Sequence, residues 1–280
     1  MADASMSRRR FLIVAGAGIG GALAAGAGWL LRTDPTNATA PLPSSTGVST
    51  VPPTTAAART VPPAETTAPI ATTAAPEPTT TIAVPASVPV ICKEAWGASG
   101  VSGEFTLHTI EHITVHHTAV TLSSNTEAPD RARQHQGYHQ SLGWPDLAYH
   151  YLIDANGHVY EGRPVDAVGD TATDYDPTGH FFVCCEGYFT SQEITPAQYE
   201  SMIKMLAWGA AEFGIEPASI RGHRDVASTT CPGDNLYPQL ADGSIAADVA
   251  AVVADGAPQL EVVCGTEGVD LIAEIEAGDA

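Results

Sequence analysis

Residues 33–89 are almost entirely Thr, Pro, Ala, Val and Ser, and this tract decides where the chain can fold. Such a composition cannot bury enough apolar surface to offset its chain entropy, so the tract is expected to be disordered. Its prolines favour extended, polyproline-like stretches over a collapsed coil. It reads as a spacer, and its threonines suit O-linked sugars in an exported chain. Every Trp except Trp29, and all ten His, lie beyond Val90. The expected organisation is a leader over 1–32, a linker over 33–89, one globular domain over 90–255 and an acidic tail over 256–280 that pattern alone does not assign.

The leader reads as an address. Ser7-Arg8-Arg9-Arg10-Phe11-Leu12 matches the twin-arginine export pattern and runs into an apolar Gly/Ala-rich stretch from Phe11 to Leu31. That stretch is long enough to span a bilayer, and a small-residue site at Ala38-Thr39-Ala40 suits cleavage. A secreted, a wall-associated and an outward-facing anchored form all fit these residues, with membrane contact only through an uncleaved N-terminal segment. Gly16, Gly18 and Gly21 spell a dinucleotide-type glycine pattern. The βαβ unit and downstream acidic residue that such a site requires do not follow, so the nucleotide reading is set aside.

The formal charge of −20 falls almost wholly on the globular part. A net acidic surface argues against nucleic acid as a partner and against loose attraction to anionic lipid. Five cysteines in an exported chain leave an odd count. Cys92 and Cys264 bracket the domain, which favours a staple between its ends. Cys184 and Cys185 are adjacent in an apolar strand, where side chains alternate, so at most one is expected to face the core.

The domain reads as alternating strands and helices. His112-Ile113-Thr114-Val115-His116 is a β-branched, alternating strand that delivers His116 at its end. Glu127 to Leu142 is a surface helix. Ala148 to Asp154 and His158 to Glu161 form a hairpin about the Asn156-Gly157 turn. The almost continuous apolar run from His180 to Gly187 suits a strand covered on both faces. Thr195-Pro196-Ala197-Gln198 opens a helix with Thr as N-cap and Pro at N1, and Gly214 closes it. Ile220 to Gly222 is short, and Leu236 to Val253 is a final helix. The order predicts an α/β domain: a central mixed β-sheet flanked by helices.

Two distant stretches carry the chemistry: Val115-His116-His117-Thr118, and Gly222-His223-Arg224-Asp225 running on to Cys231-Pro232-Gly233. A catalytic zinc takes three protein ligands and keeps a fourth position for water, and His116, His223 and Cys231 make such a set. His117 points the other way along its strand and reads as a core or supporting residue. His150 and the remaining histidines (His108, His112, His135, His139, His158 and His180) read as core or surface residues. Asp225 is a candidate hydrogen-bond partner for a ligating imidazole, or a turn cap. Arg163 suits either a ligand carboxylate or a structural ion pair. Trp96 and Trp144 read as core or groove walls.

From Glu94-Ala95-Trp96-Gly97-Ala98 to Cys231-Pro232-Gly233-Asp234-Asn235-Leu236-Tyr237 the chain resembles the type 2 N-acetylmuramoyl-L-alanine amidase domain, and within it the peptidoglycan recognition protein branch. Gly143-Trp144-Pro145-Asp146-Leu147-Ala148-Tyr149-His150-Tyr151 and Asp154-Ala155-Asn156-Gly157-His158-Val159-Tyr160-Glu161-Gly162-Arg163 extend the match, which spans roughly half of the chain. The resemblance implies that His116, His223 and Cys231 hold Zn2+. Tyr149 corresponds to a tyrosine that faces the metal-bound water, and Thr229 to a variable position beside the metal. The implied reaction is attack of zinc-bound water on the lactyl carbonyl joining muramic acid to L-alanine. Peptidoglycan or a muropeptide is the implied partner, and a monomer is expected. Members that keep the cysteine hydrolyse; members that lose it only bind. A non-catalytic peptidoglycan-binding module is therefore the alternative. Two positions depart from the pattern. Cys184 stands where a related branch carries a catalytic Glu, with Glu186 adjacent to Gly187 instead, and Tyr188 stands where Asn or Asp is frequent.

Overall fold

The computed structural model describes residues 87–280. The export-type leader, the glycine pattern at Gly16, Gly18 and Gly21, and the 33–86 part of the linker lie outside the described residues. Among the described residues, seven strands form one sheet: β1 (Ser87–Ile91), β2 (His112–His117), β3 (Tyr151–Ile153), β4 (Val159–Glu161), β5 (His180–Cys185), β6 (Arg221–Gly222) and β7 (Gln259–Val263). Their order is β6-β2-β5-β3-β4-β1-β7. Only the β3–β4 hairpin is antiparallel; every other neighbouring pair runs parallel. This is the mixed sheet that the strand pattern predicts. No helix among the described residues is long and apolar enough to cross a membrane.

Helices cover both faces. One face packs α2 (Pro196–Phe213) and α4 (Ser244–Gly256) through Met202, Met205, Leu206, Ile245 and Val249 onto Ile113, Val115, Phe181 and Val183. The other packs α1 (Ala128–Ser141) and α5 (Gly265–Ala277) through Ala128, Ala132, Ile272 and Ile275 around Trp96, Leu152 and Tyr160. Full burial of each large apolar side chain contributes roughly 1.5–3 kcal/mol. Cys184 and Cys185 are both fully buried, which corrects the expectation that at most one meets the core. Alternation holds, but with both faces covered each thiol enters a different core layer.

Local signals place the elements well. The Thr195 side chain accepts the Gln198 amide at the start of α2, and Gly214 closes that helix in the left-handed conformation at φ 65°. Leu236 to Val253 is not one helix: α3 (Tyr237–Ala241) ends before Asp242-Gly243, and Gly243 at φ 84° redirects the chain into α4. The acidic tail is ordered, with β7 extending the sheet beside β1 and α5 packing behind it. The Cys92–Cys264 disulfide, separated by 172 positions, closes the domain as their bracketing positions suggested.

Candidate metal centre

The two distant histidine stretches meet through sheet register. Parallel β2 and β6 pair Val115 with Gly222, so the residues next after this pair, His116 near the end of β2 and His223 just past β6, emerge side by side. Their rings lie 4.6 Å apart, at the carboxyl ends of parallel strands where crevices of α/β sheets form. Cys231 arrives on the loop after β6. Arg224 donates its amide to the Cys231 carbonyl at 2.9 Å, and the Arg224 guanidinium stacks over Tyr237 at 4.5 Å. Gly233, at φ 103°, lies so close to the Phe189 backbone that a Cβ would collide with it. The cysteine loop is thereby locked against the turn that follows β5.

His116, His223 and Cys231 are all buried, and one donor atom from each lies within 4.8 Å of the others. The Nδ1 of His116 lies 3.8 Å from Cys231 Sγ. Its Nε2 is buried with no hydrogen-bond partner, an unmet polar demand of the kind that buried groups seldom carry. Burial, reinforced by the neighbouring His223, holds the His116 imidazole well below its usual range. Burial lowers His223 to about 4. Both rings are therefore neutral near pH 7, the state in which imidazole ligates metal. Burial pushes the Cys231 thiol up to about 12, against the opposing effects of the His117 amide and Arg224; that amide donates to Sγ at 3.3 Å. So raised a thiol gives up its proton only to a strong local charge, which a divalent cation supplies. The donor set and its neutral imidazoles fit a zinc ion.

The triad opens into a cleft of about 290 Å3 that is also lined by Tyr149, Thr229, His139, Trp144 and Asp170. The expected metal set His116, His223 and Cys231 and the two expected catalytic residues, Tyr149 and Thr229, all line this one cleft. The Tyr149 ring lies 5.4 Å from that of His116. Burial first, then Cys184 and Cys231, raise its phenol well above the usual range, so it is a neutral donor. Gly162 fixes its backbone: the Gly162 amide bonds His150 O at 2.8 Å and the Arg163 amide bonds Tyr149 O at 3.0 Å. A Cβ at Gly162 would strike that Tyr149 carbonyl. Thr229 Oγ1 accepts the Cys231 amide at 3.2 Å, which holds the cysteine turn.

Other candidates take plainer roles. Asp225 accepts the Gly222 amide at 2.8 Å and the Tyr237 hydroxyl, so it caps the turn. The partner of His223 is Thr173, whose Oγ1 lies 2.9 Å from Nε2. Thr173 was not found from sequence, because the loop between Gly169 and Gly179 carries no motif. Arg163 is buried and pairs with Asp170 at 2.6 Å while donating to Leu147 O, so it is structural. Trp96 is core, whereas Trp144 walls the cleft. The His117 Nδ1 accepts the Phe189 amide at 3.3 Å, and His117 stands outside the donor triad. Cys184 pairs in register with His116, but burial raises its thiol well above the usual range, which rules it out as a base. Glu186 is buried between Thr118 and His135 and is absent from the cleft lining among the described residues.

The sequence profile of the family described as N-acetylmuramoyl-L-alanine amidase matches residues 106–234. Peptidoglycan-recognition protein SC2 of Drosophila melanogaster is 32% identical over 157 residues, 55% of this chain and 85% of that protein. The crystal structure of the drosophila peptidoglycan recognition protein SD has a TM-score of 0.51 at 23% identity, over 55% of this chain and 93% of that one, and shares the fold. Peptidoglycan recognition protein LE, solved in complex with tracheal cytotoxin, a monomeric diaminopimelic acid-type peptidoglycan, has a TM-score of 0.50 at 26% identity, over 55% and 92%. The chain belongs to the type 2 N-acetylmuramoyl-L-alanine amidase and peptidoglycan recognition protein family.

Proposed function

We propose that this chain is a zinc-dependent N-acetylmuramoyl-L-alanine amidase that hydrolyses the bond between the lactyl group of muramic acid and L-alanine in peptidoglycan. The observation that carries this reading is the convergence of His116, His223 and Cys231 on one buried point at the floor of an open cleft. Relatives of the fold include a protein solved with a muropeptide bound, which supports the substrate class. Zinc held by the triad would supply Lewis acidity, lowering the pKa of water and polarising the scissile carbonyl.

The chain's own side chains account for the rest. Tyr149, on the cleft lining and neutral, would donate a hydrogen bond to the carbonyl oxygen as negative charge gathers there. Thr229 keeps the cysteine turn in place through the Cys231 amide. Among the described residues the one carboxylate on the cleft lining, Asp170, is held by Arg163. Proton transfer to the leaving amine therefore falls to Tyr149, Thr229 and solvent. The expected setting is outside the cytoplasmic membrane, reached through the twin-arginine route read in the leader. A disulfide between Cys92 and Cys264 supports an oxidising compartment.

Purified chain incubated with soluble muropeptide and zinc should release free stem peptides, seen by mass spectrometry as addition of one water across the amide. Cys231→Ala should abolish the release. Cell-wall binding that survives Cys231→Ala, with no cleavage by either protein under any metal condition, would instead establish the binding-module reading.

A further inference from the structure

We infer that Thr173 is the residue that positions His223 for metal, by holding its Nε2 and thereby reserving Nδ1 as the donor. The inference rests on the metal reading proposed above and concerns how one ligand is kept in its working tautomer. A histidine ligand has two nitrogens, and the one turned away from the metal needs a partner to fix the ring and its proton. In this chain the partner is a threonine hydroxyl, not a carboxylate: Thr173 Oγ1 lies 2.9 Å from His223 Nε2. The nearby carboxylate, Asp225, is committed to the Gly222 amide and the Tyr237 hydroxyl.

The hydrogen bonds around Thr173 accommodate the direction that a metal-ligating His223 needs. Thr173 Oγ1 lies 2.7 Å from Thr171 Oγ1, which also accepts the Thr173 amide at 3.2 Å. With the Thr173 hydroxyl donating to Thr171, its lone pair faces His223 and accepts the Nε2 proton. The opposite direction would put the imidazole proton on Nδ1 and leave the ring no free lone pair for a cation. The small hydroxyl ladder is itself anchored. Asp170, one residue before Thr171, is clamped at 2.6 Å by Arg163, whose side chain is 1% exposed and whose Nε also donates to the Leu147 carbonyl at 2.6 Å. Thr171 and Thr173 both line the cleft beside His223. The buried Arg163 thus gains a role: it fixes the loop that orients a metal ligand.

Two variants and two readouts test the inference on the full chain. Thr173→Val keeps the shape and removes the hydroxyl; Thr173→Ser restores the hydroxyl. Zinc affinity by chelator competition should fall about 10- to 100-fold in the Val variant, the usual cost of losing such a partner, and stay within about threefold in the Ser variant. Long-range nitrogen–proton NMR of metal-free protein should show the Nε2–H tautomer of His223 in wild type and Ser, and a tautomer mixture in Val. Thr171→Val, which removes only the anchor of the ladder, should shift both readouts in the same direction by less. Wild-type affinity and an unchanged tautomer in Thr173→Val would overturn the inference, as would zinc ligation through Nε2. Failure of wild type to bind zinc at all would sink the proposed function instead, and the tautomer comparison would still decide the role of Thr173.

Discussion

Acid should unfold this domain through His150, and the size of the effect can be worked from its surroundings. The ring is fully buried. Its Nδ1 accepts the Phe182 amide at 2.8 Å, and its Nε2 bonds the Ala167 carbonyl at 2.9 Å. Both nitrogens are satisfied only in the neutral Nε2–H form, because a second proton would point Nδ1–H at an N–H donor. Burial accordingly lowers the ring from its ordinary 6.5 to about 3. At pH values between these two, the unfolded chain binds a proton that the folded chain refuses. The contribution of His150 is therefore intact above about pH 6.5 and lost steadily as pH falls toward its folded value. At about pH 4.5 the difference is two pH units below the ordinary value, or about 3 kcal/mol. Urea unfolding of wild type and His150→Gln at about pH 7.5 and about pH 4.5 isolates this quantity from the other buried histidines. The variant should lose about 3 kcal/mol less than wild type between the two conditions, and NMR should show the wild-type ring still neutral at the lower pH. Equal losses, or a His150 ring that titrates near 6.5 in the folded protein, would refute the reasoning.

Other outcomes follow from the same geometry. Tyr149→Phe should lower turnover about 100-fold, the scale of losing one donor to a developing oxyanion, while zinc content stays at the wild-type level by atomic absorption. Gly233→Ala should destabilise the domain by at least about 1–3 kcal/mol in chemical denaturation, since it forces a left-handed backbone onto Ala and a Cβ into the Phe189 main chain. Reduction of Cys92–Cys264 should cost about 2–4 kcal/mol in the same assay, because it frees a loop of 172 positions and the attachment of β7 and α5.

The candidate set of His116, His223 and Cys231 was legible because each member sits in a stretch with strong local character: a β-branched strand for His116, and a Gly- and Pro-bounded turn for His223 and Cys231. Their convergence was not written in either stretch alone. It depends on the pairing of Val115 with Gly222, and β6 is too short for periodicity to reveal. Thr173 escaped notice for a related reason, since a Thr/Asp/Gly loop has no period and its value lies entirely in what folds against it. Asp225 looked like the natural partner of an imidazole by proximity in sequence, yet the turn that brings it near also uses up both of its oxygens. The acidic tail concealed its elements differently. β7 is an edge strand with four of its five side chains at least partly exposed, so it lacks clean alternation. In α5, Gly268, Ile272 and Ile275 do form a narrow helical stripe, but acidic residues surround it. The two thiols at Cys184 and Cys185 show that alternation predicts direction while burial depends on what covers each face.

X-ray absorption at the zinc edge, on purified protein with and without Cys231→Ala, tests the central claim most directly. The account predicts one zinc per chain with a single sulfur at about 2.3 Å and nitrogen or oxygen donors at about 2.0–2.1 Å. The sulfur should vanish in the variant. A wild-type protein that holds no zinc, or a shell without sulfur, or a sulfur that persists in Cys231→Ala, would contradict it.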